Sequence, residues 1–432
     1  MKQTIFNYFL VTMLLCPFFM QAQNVGIGTA TPKAGLHIVS DSGFIAEGAF
    51  GNSAVLNSTG SGSRFIFYPR KGAIRGGYLD GASVNFWDDA STGIGSVGFG
   101  NNVKALGFAS VALGVGVIAA NSFTLAFGSY SNANGQYSEV IGNNSNANTV
   151  GAIAIGNGVN AGYTSLQGES AICIGNGNNS GFVPGSHFAT GTKAFSIGNN
   201  CRSQSSHDFA FGNDCFSGGT TFYDDIGGRY AFSFGNSCYA SGIYSFALGN
   251  NANTNMHAGS MVLGSRIDGV QVYSPADYHF LAQFAGGYQL QSNDAGSLGV
   301  YLQPNTSSWA SLCDSTKKEN VLLMDDDAIL KKVSSIKYYS WKYKDDPDSR
   351  NRHYGIMAQD FYAAFGKDGL GKIGCDTLVN PIDLLGVAYS AIKALEKKTK
   401  EIDTLNVEND ALKARLEKLE AIIYKNENPL LK

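Results

Sequence analysis

The sequence predicts a mainly β chain: a parallel solenoid of 14-residue coils, then a small α/β domain and a C-terminal coiled coil. Three observations predict it. A phrase alternating apolar and small residues and closing on glycine recurs eleven times between residues 96 and 266, as in Val111-Ala112-Leu113-Gly114 and Phe246-Ala247-Leu248-Gly249. Its closing glycines, Gly100 to Gly264, are spaced 14, 14, 14, 14, 19, 23, 14, 23, 14 and 15, a period that means a repeat architecture. At Cys313 the composition turns charged and helical, and apolar residues take up a heptad spacing from Leu395 to Ile423.

Taken in order, residues 1–22 read as a secretory signal: Lys2, an apolar stretch from Ile5 to Met20, and Gln21-Ala22 before Gln23. Met20 is a poor residue three before the cut, and Leu15-Cys16 makes a weak lipoprotein site. No later run is apolar enough to span a membrane, so the expected location is secreted or cell-surface. Residues 23–95 alternate apolar and polar with Gly and Ser between, a β-rich region. Trp87-Asp88-Asp89 reads as a strand end in preference to a ligand site.

Residues 96–266 are the repeats. Each phrase reads as a strand with one face buried, and the glycine, followed by Asn in eight of eleven coils, reads as the turn that ends it. A weaker second strand follows, with an apolar or small residue three after the glycine (Val103, Val117, Val159, Ala252). So narrow a coil must stack on its neighbours to make a core, and eleven coils give a rod about 50 Å long. One chain would leave an apolar face exposed, which predicts association about the rod axis. The irregular spacings mark inserts near 162–168, 179–187 and 218–226, expected as surface loops carrying Tyr163, Phe182, His187, Phe222 and Tyr223. Residues 267–312 lose the repeat and read as a β stem.

The formal net charge is −3 and charged residues are 15% of the chain, which removes a basic nucleic-acid footprint. The histidines are scattered, the cysteines form no CxxC pair, and neither a metal nor a cofactor site is expected. Cys201, Cys215 and Cys238 each lie three residues after a repeat glycine, as small buried residues or, alternatively, with Cys201 bonded to Cys215 in adjacent coils. Asp325-Asp326-Asp327 precedes an apolar helix pattern and reads as helix capping rather than metal binding. In the last segment, 391–432, Leu395, Ile402, Asn409, Leu416 and Ile423 form one seam and Lys398, Leu405, Leu412 and Leu419 the other.

The repeated phrase resembles the head repeat of trimeric autotransporter adhesins, which implies a left-handed parallel β-roll with three chains about one axis. Gln23-Asn24-Val25-Gly26-Ile27-Gly28-Thr29 resembles the opening of exported bacterial surface proteins with tail-fibre-like C-termini. Residues 313–390 resemble the endosialidase-type intramolecular chaperone, peptidase S74. The matching blocks are Cys313-Asp314-Ser315-Thr316-Lys317-Lys318-Glu319-Asn320-Val321, Arg352-His353-Tyr354-Gly355-Ile356-Met357-Ala358-Gln359-Asp360, and Leu384 to Leu395.

That resemblance implies a domain that trimerises, guides folding of the fibre before it and in many members cuts itself off. The family's nucleophile, a Ser, falls on Cys313, its Lys on Lys318, and a family His on His353. Cys stands where Ser is usual. Sulfur is the better nucleophile and a neighbouring Lys can take its proton, so cleavage between Leu312 and Cys313 is one expectation and a retained chaperone with an inert thiol the other.

The function expected is an exported, homotrimeric, adhesin-like fibre with a self-releasing chaperone and a surface glycan or host-matrix ligand. The alternative is a tailspike-like protein that binds or degrades glycans. Glycan hydrolysis needs two placed carboxylates. The repeats offer Glu139, Glu169, Asp208, Asp214, Asp224 and Asp225, of which Asp224-Asp225 beside Tyr223 is the best pair.

Overall fold

The computed structural model describes residues 24–57, 59–162, 169–177, 187–189, 191–219, 230–266, 268–348, 350–369 and 371–427. The leader and the insert aromatics Tyr163, Phe182, Phe222 and Tyr223, with Asp224 and Asp225, lie outside them, as does the side chain of His187. The described residues are mainly β with three helices, and the chain forms two compact units, Met1–Ser311 and Leu312–Lys432.

The first unit is a stack of coils, each with one long and one short strand. Long strands such as Val97–Asn101, Val111–Val115 and Leu125–Ser129 run parallel, in register, one coil to the next. Short strands such as Ile118–Ala119 and Asn132–Ala133 form a second parallel sheet. The closing glycines sit one above another, Gly142 on Gly156 and Gly235 on Gly249. Register survives every insert: Gly156 pairs Gly175, Gly175 pairs Gly198, and Gly212 pairs Gly235.

Two details differ from the sequence reading. The long strand does not end at its glycine; it runs one residue further, and the chain turns at the next, in the left-handed region at Asn102, Asn144 and Asn200. The glycine serves close stacking. A Cβ on Gly128 would lie 1.8 Å from the Gly142 carbonyl oxygen, and its φ of +127° is one L side chains rarely adopt. The Asn after it belongs to the strand and donates its amide to the Asn of the next coil, as Asn143 does to Asn157 (3.0 Å) and Asn199 to Asn213 (2.8 Å).

Stacking also runs past residue 266. Val272–Tyr273 and Phe280–Gln283 extend the two sheets, with Gln283 paired to Gly264. Phe280-Leu281-Ala282 breaks the alternation, with Leu281 at the inward place, and lacks the glycine that marks the other coils.

Among the described residues, the interior of the coils is mostly Ala, Ser, Cys and Val. Ala112, Ala126, Ala154, Ala210 and Ala247 point inward from the long strands, and Ala105, Ala119, Ala133 and Ala147 from the short ones, all buried. The large residues of the phrase point out: Phe127 is 50% exposed and Phe211 42%. Of the outward residues on the long strands, from Val97 and Phe99 to Met261 and Leu263, only Glu139 is charged. The first coil is closed by Arg75 and Trp87, both buried. Arg75 passes under Gly98, the one glycine of the inward column, and donates to the Ser96 and Ala105 carbonyls (3.0 and 2.8 Å). Burial pushes its guanidinium down to about 10. Trp87 donates to Val103 O (3.1 Å), while Asp88 accepts from Thr59 and Asp89 pairs with Lys71, so this motif caps the first coil rather than ending a strand.

In the second unit α1 (Asp326–Ser335) packs on α3 (Pro381–Glu427), and α2 (Ala358–Phe365) buries Phe361 and Phe365. Strands Tyr339–Trp341 and His353–Gly355 pair antiparallel. The Asp triplet is spent on structure. Asp325 caps α1 by accepting from Ala328 N (3.1 Å), Asp326 pairs with Lys393 (2.8 Å), and Asp327 pairs with Lys397 (3.2 Å).

Candidate functional site at the start of the second unit

Cys313 is the second residue of this unit and is exposed. Directly after it the chain makes a 3-10 turn, Ser315–Lys317. Asp314 starts the turn: its carboxylate accepts from Thr316 N (2.9 Å), and that bond holds the carboxyl below its ordinary range. Lys318 ends it, donating its backbone N–H to Ser315 O (3.1 Å). One tight turn between residues five apart folds the Lys318 side chain back, and its Nζ donates to Cys313 Sγ at 2.8 Å. A thiol and an amine thus share a hydrogen bond, next in sequence to the Leu312 carbonyl.

His353 is elsewhere. Its strand partner is Trp341, on which its ring stacks at 4.6 Å, with Tyr343 edge-on at 5.5 Å. Among the described residues no hydrogen bond joins it to Cys313 or Lys318, so within one chain the candidate trio divides into a pair and a packed histidine.

Residues 313–370 match the family described as chaperone of endosialidase, Peptidase S74. The second unit carries that chaperone domain. No curated protein matches the chain. The match begins on Cys313 itself, so the Cys–Lys pair stands at the amino-terminal boundary of the chaperone domain. Among the described residues no helix is long and apolar enough to cross a membrane.

The repeat cysteines have a role that their spacing alone did not reveal. Each is a buried thiol outside any disulfide, and its S–H donates to the closing-glycine carbonyl one coil on: Cys201 to Gly212 (3.1 Å), Cys215 to Gly235 (3.2 Å), Cys238 to Gly249 (3.3 Å). Ser131 and Ser145 make the same bond to Gly142 and Gly156 (3.1 and 3.0 Å). The signal available in the sequence was that Ser131 and Ser145 hold the same place in the coil as the three cysteines.

Two of the acids of the repeats are similarly engaged, while Glu139 and Glu169 are exposed. Asp208 is buried and accepts two backbone N–H bonds, and Asp214 accepts from Asn200 and Asn213. Neither is presented as a catalytic carboxylate.

Proposed function

We propose that the chain is an exported homotrimeric fibre of adhesin-like type, in which the coils are scaffold and the chaperone domain aligns three chains and then releases itself. The observation that carries the reading is the 2.8 Å bond between Lys318 Nζ and Cys313 Sγ at the first residue of the matched domain. In the proposed step the sulfur passes its proton to the lysine and attacks the Leu312 carbonyl carbon. The Leu312–Cys313 C–N bond breaks, the leaving nitrogen takes the proton, and water hydrolyses the resulting thioester. Residues 313–432 separate from the fibre.

Two features favour assembly. The outer face of the long strands carries large apolar residues in every coil, broken by Glu139 and bordered by the Asn ladder, and an exposed face of that kind is an interface. The chaperone domain itself buries little beyond Phe361, Phe365, Ala391 and Ala394, while Val321, Leu322, Leu323 and Met324 stand exposed. Partner chains are the natural cover for both. In the proposed trimer the rolls are left-handed, as in the adhesin heads they resemble, and the inserts are where a surface glycan or matrix ligand would be met. A clamp is useful because similar coils stack equally well one coil out of register, and threading three chains is slow. Its removal afterwards makes the fibre's stability kinetic.

Intact mass and native sizing of the wild type and Cys313→Ala test this. A fragment of residues 313–432 from the wild type but not the variant, with both proteins trimeric, is expected. A full-length wild type overturns release, and a monomer overturns the fibre.

A further inference from the structure

We propose that the acyl group held on Cys313 is passed to a primary amine, so that release of the chaperone domain can join the fibre's Leu312 carboxyl end covalently to an amine-bearing acceptor. This rests on the reading that Cys313 attacks Leu312. Three observations point beyond hydrolysis. The attacking atom is sulfur, so the intermediate is a thioester, whose thiol leaving group departs far more readily than an alcohol would. The site is open within its own unit: Cys313, Lys318 and Leu312 are all exposed, leaving room for a nucleophile larger than water. Among the described residues the polar partner of the sulfur is Lys318 Nζ, which can move a proton to or from whatever attacks.

Openness also decides the competition. Once the C–N bond breaks, the Cys313 α-amine lies beside the thioester it has just left, and its re-attack restores the chain. Re-attack keeps the thioester in equilibrium with the intact chain, so the break becomes permanent through whichever nucleophile captures the thioester most often, and a primary amine attacks a thioester better than water does. The balanced step is as follows. The acceptor nitrogen bonds to the Leu312 carbonyl carbon, the C–S bond breaks with its electron pair going to Cys313 Sγ, and the proton lost by the amine is carried by Lys318 to the sulfur. The products are an amide at Leu312 and a chaperone domain beginning with a free cysteine, α-amine and thiol together. No oxidant or cofactor is consumed.

The test synthesises the full chain in a cell-free system with hydroxylamine or glycinamide present throughout, followed by intact mass of the fragments. The expected result is a fibre fragment ending in a Leu312 hydroxamate or glycinamide adduct as the main product, and a Cys313→Ser chain that yields mainly the free carboxylate. Cleavage that leaves only the free carboxylate at every amine concentration overturns amine transfer while the release reading stands. Equal capture by Cys313→Ser also overturns it, since the sulfur is then not what directs the acyl group. No cleavage with any nucleophile overturns both.

Discussion

Asp208 occupies a place in its coil that holds Ser110, Ser138 and Ser245 in others, and it is fully buried. Its oxygens accept from Ser205 N (2.8 Å) and Ala231 N (2.9 Å), tying together the two sides of the insert before residue 230. Burial favours the neutral acid and the two N–H groups favour the carboxylate. Burial wins, and the carboxyl is pushed up to about 7. Unfolded, it titrates near 3.9. Between those values the folded chain holds a proton that the unfolded chain has released, so the contribution is full at low pH and is lost as pH rises through about 7. Asp208→Asn should therefore remove a decline in melting temperature between about pH 4 and pH 7, at a cost of roughly 1 kcal/mol for the N–H left unpaired. Parallel melting curves for wild type and variant across that range would refute the assignment. The sequence showed Asp208 as one of few acids in the repeats; its burial follows from its column in the coil, which only the register reveals. Cys313 and Lys318 were legible as a spacing of five. What brings them to 2.8 Å is the Asp314-capped turn, whose closure depends on backbone geometry that spacing does not encode.

The coil was the most legible element, since glycine period and alternation gave its length and its two faces. Alternation alone leaves open which face is inside. The answer lies in size: strands only one short coil apart have room for Ala, Ser, Cys or Val between them, and Phe must turn outward. The closing glycine is the strictest requirement. Gly128→Ala should cost about 3 kcal/mol or more, because it combines an unfavourable φ with a Cβ 1.8 Å from the next carbonyl oxygen. Gly81→Ala, with open space around it, should stay within about 0.5 kcal/mol. Denaturant midpoints of the two variants check this, and similar losses would deny the glycine its stacking role. The residue two before each long strand is a second strict place, left-handed even where it is not glycine. Phe123, Tyr137, Tyr230 and Tyr244 hold φ of +57° to +58° there. Strain of about 1–2 kcal/mol per residue is offset in part by stacking, Phe123 on Tyr137 at 5.2 Å and Tyr230 on Tyr244 at 5.4 Å, worth about 0.5–1.5 kcal/mol per pair. Positive φ at tyrosine has no sequence signature, which is why this column went unread.

For the whole chain, association is written in the sequence twice, in the apolar outer face of the coils and in the heptads of α3. Leu405, Leu412 and Leu419 are exposed along a helix of 47 residues, Leu412 to 60%, with Asn409 between them. Paired substitution Leu405→Asp with Leu412→Asp should leave α3 unable to associate, lower the yield of trimer from refolding, and shift the remainder to monomer and aggregate in sedimentation velocity. A variant that assembles as well as the wild type would remove the helix from the assembly mechanism. The order of elements was legible because each region has its own period: 14 residues in the coils, 7 in the heptads. The extra coil at residues 272–283 was not, because it lacks the glycine on which the period was counted.

Each interior column of the solenoid repeats the same few small residues, and every coil contacts its neighbours through the same register, even across the inserts. A coil can therefore be added or deleted without a compensating change elsewhere, provided the cut falls at equivalent residues. Length becomes a quantity adjustable in steps of about 4.8 Å, one duplication at a time. Selection acting on such a chain can change how far the stack reaches while leaving its two ends, the Arg75–Trp87 plug and the coil that closes at Gln283, untouched.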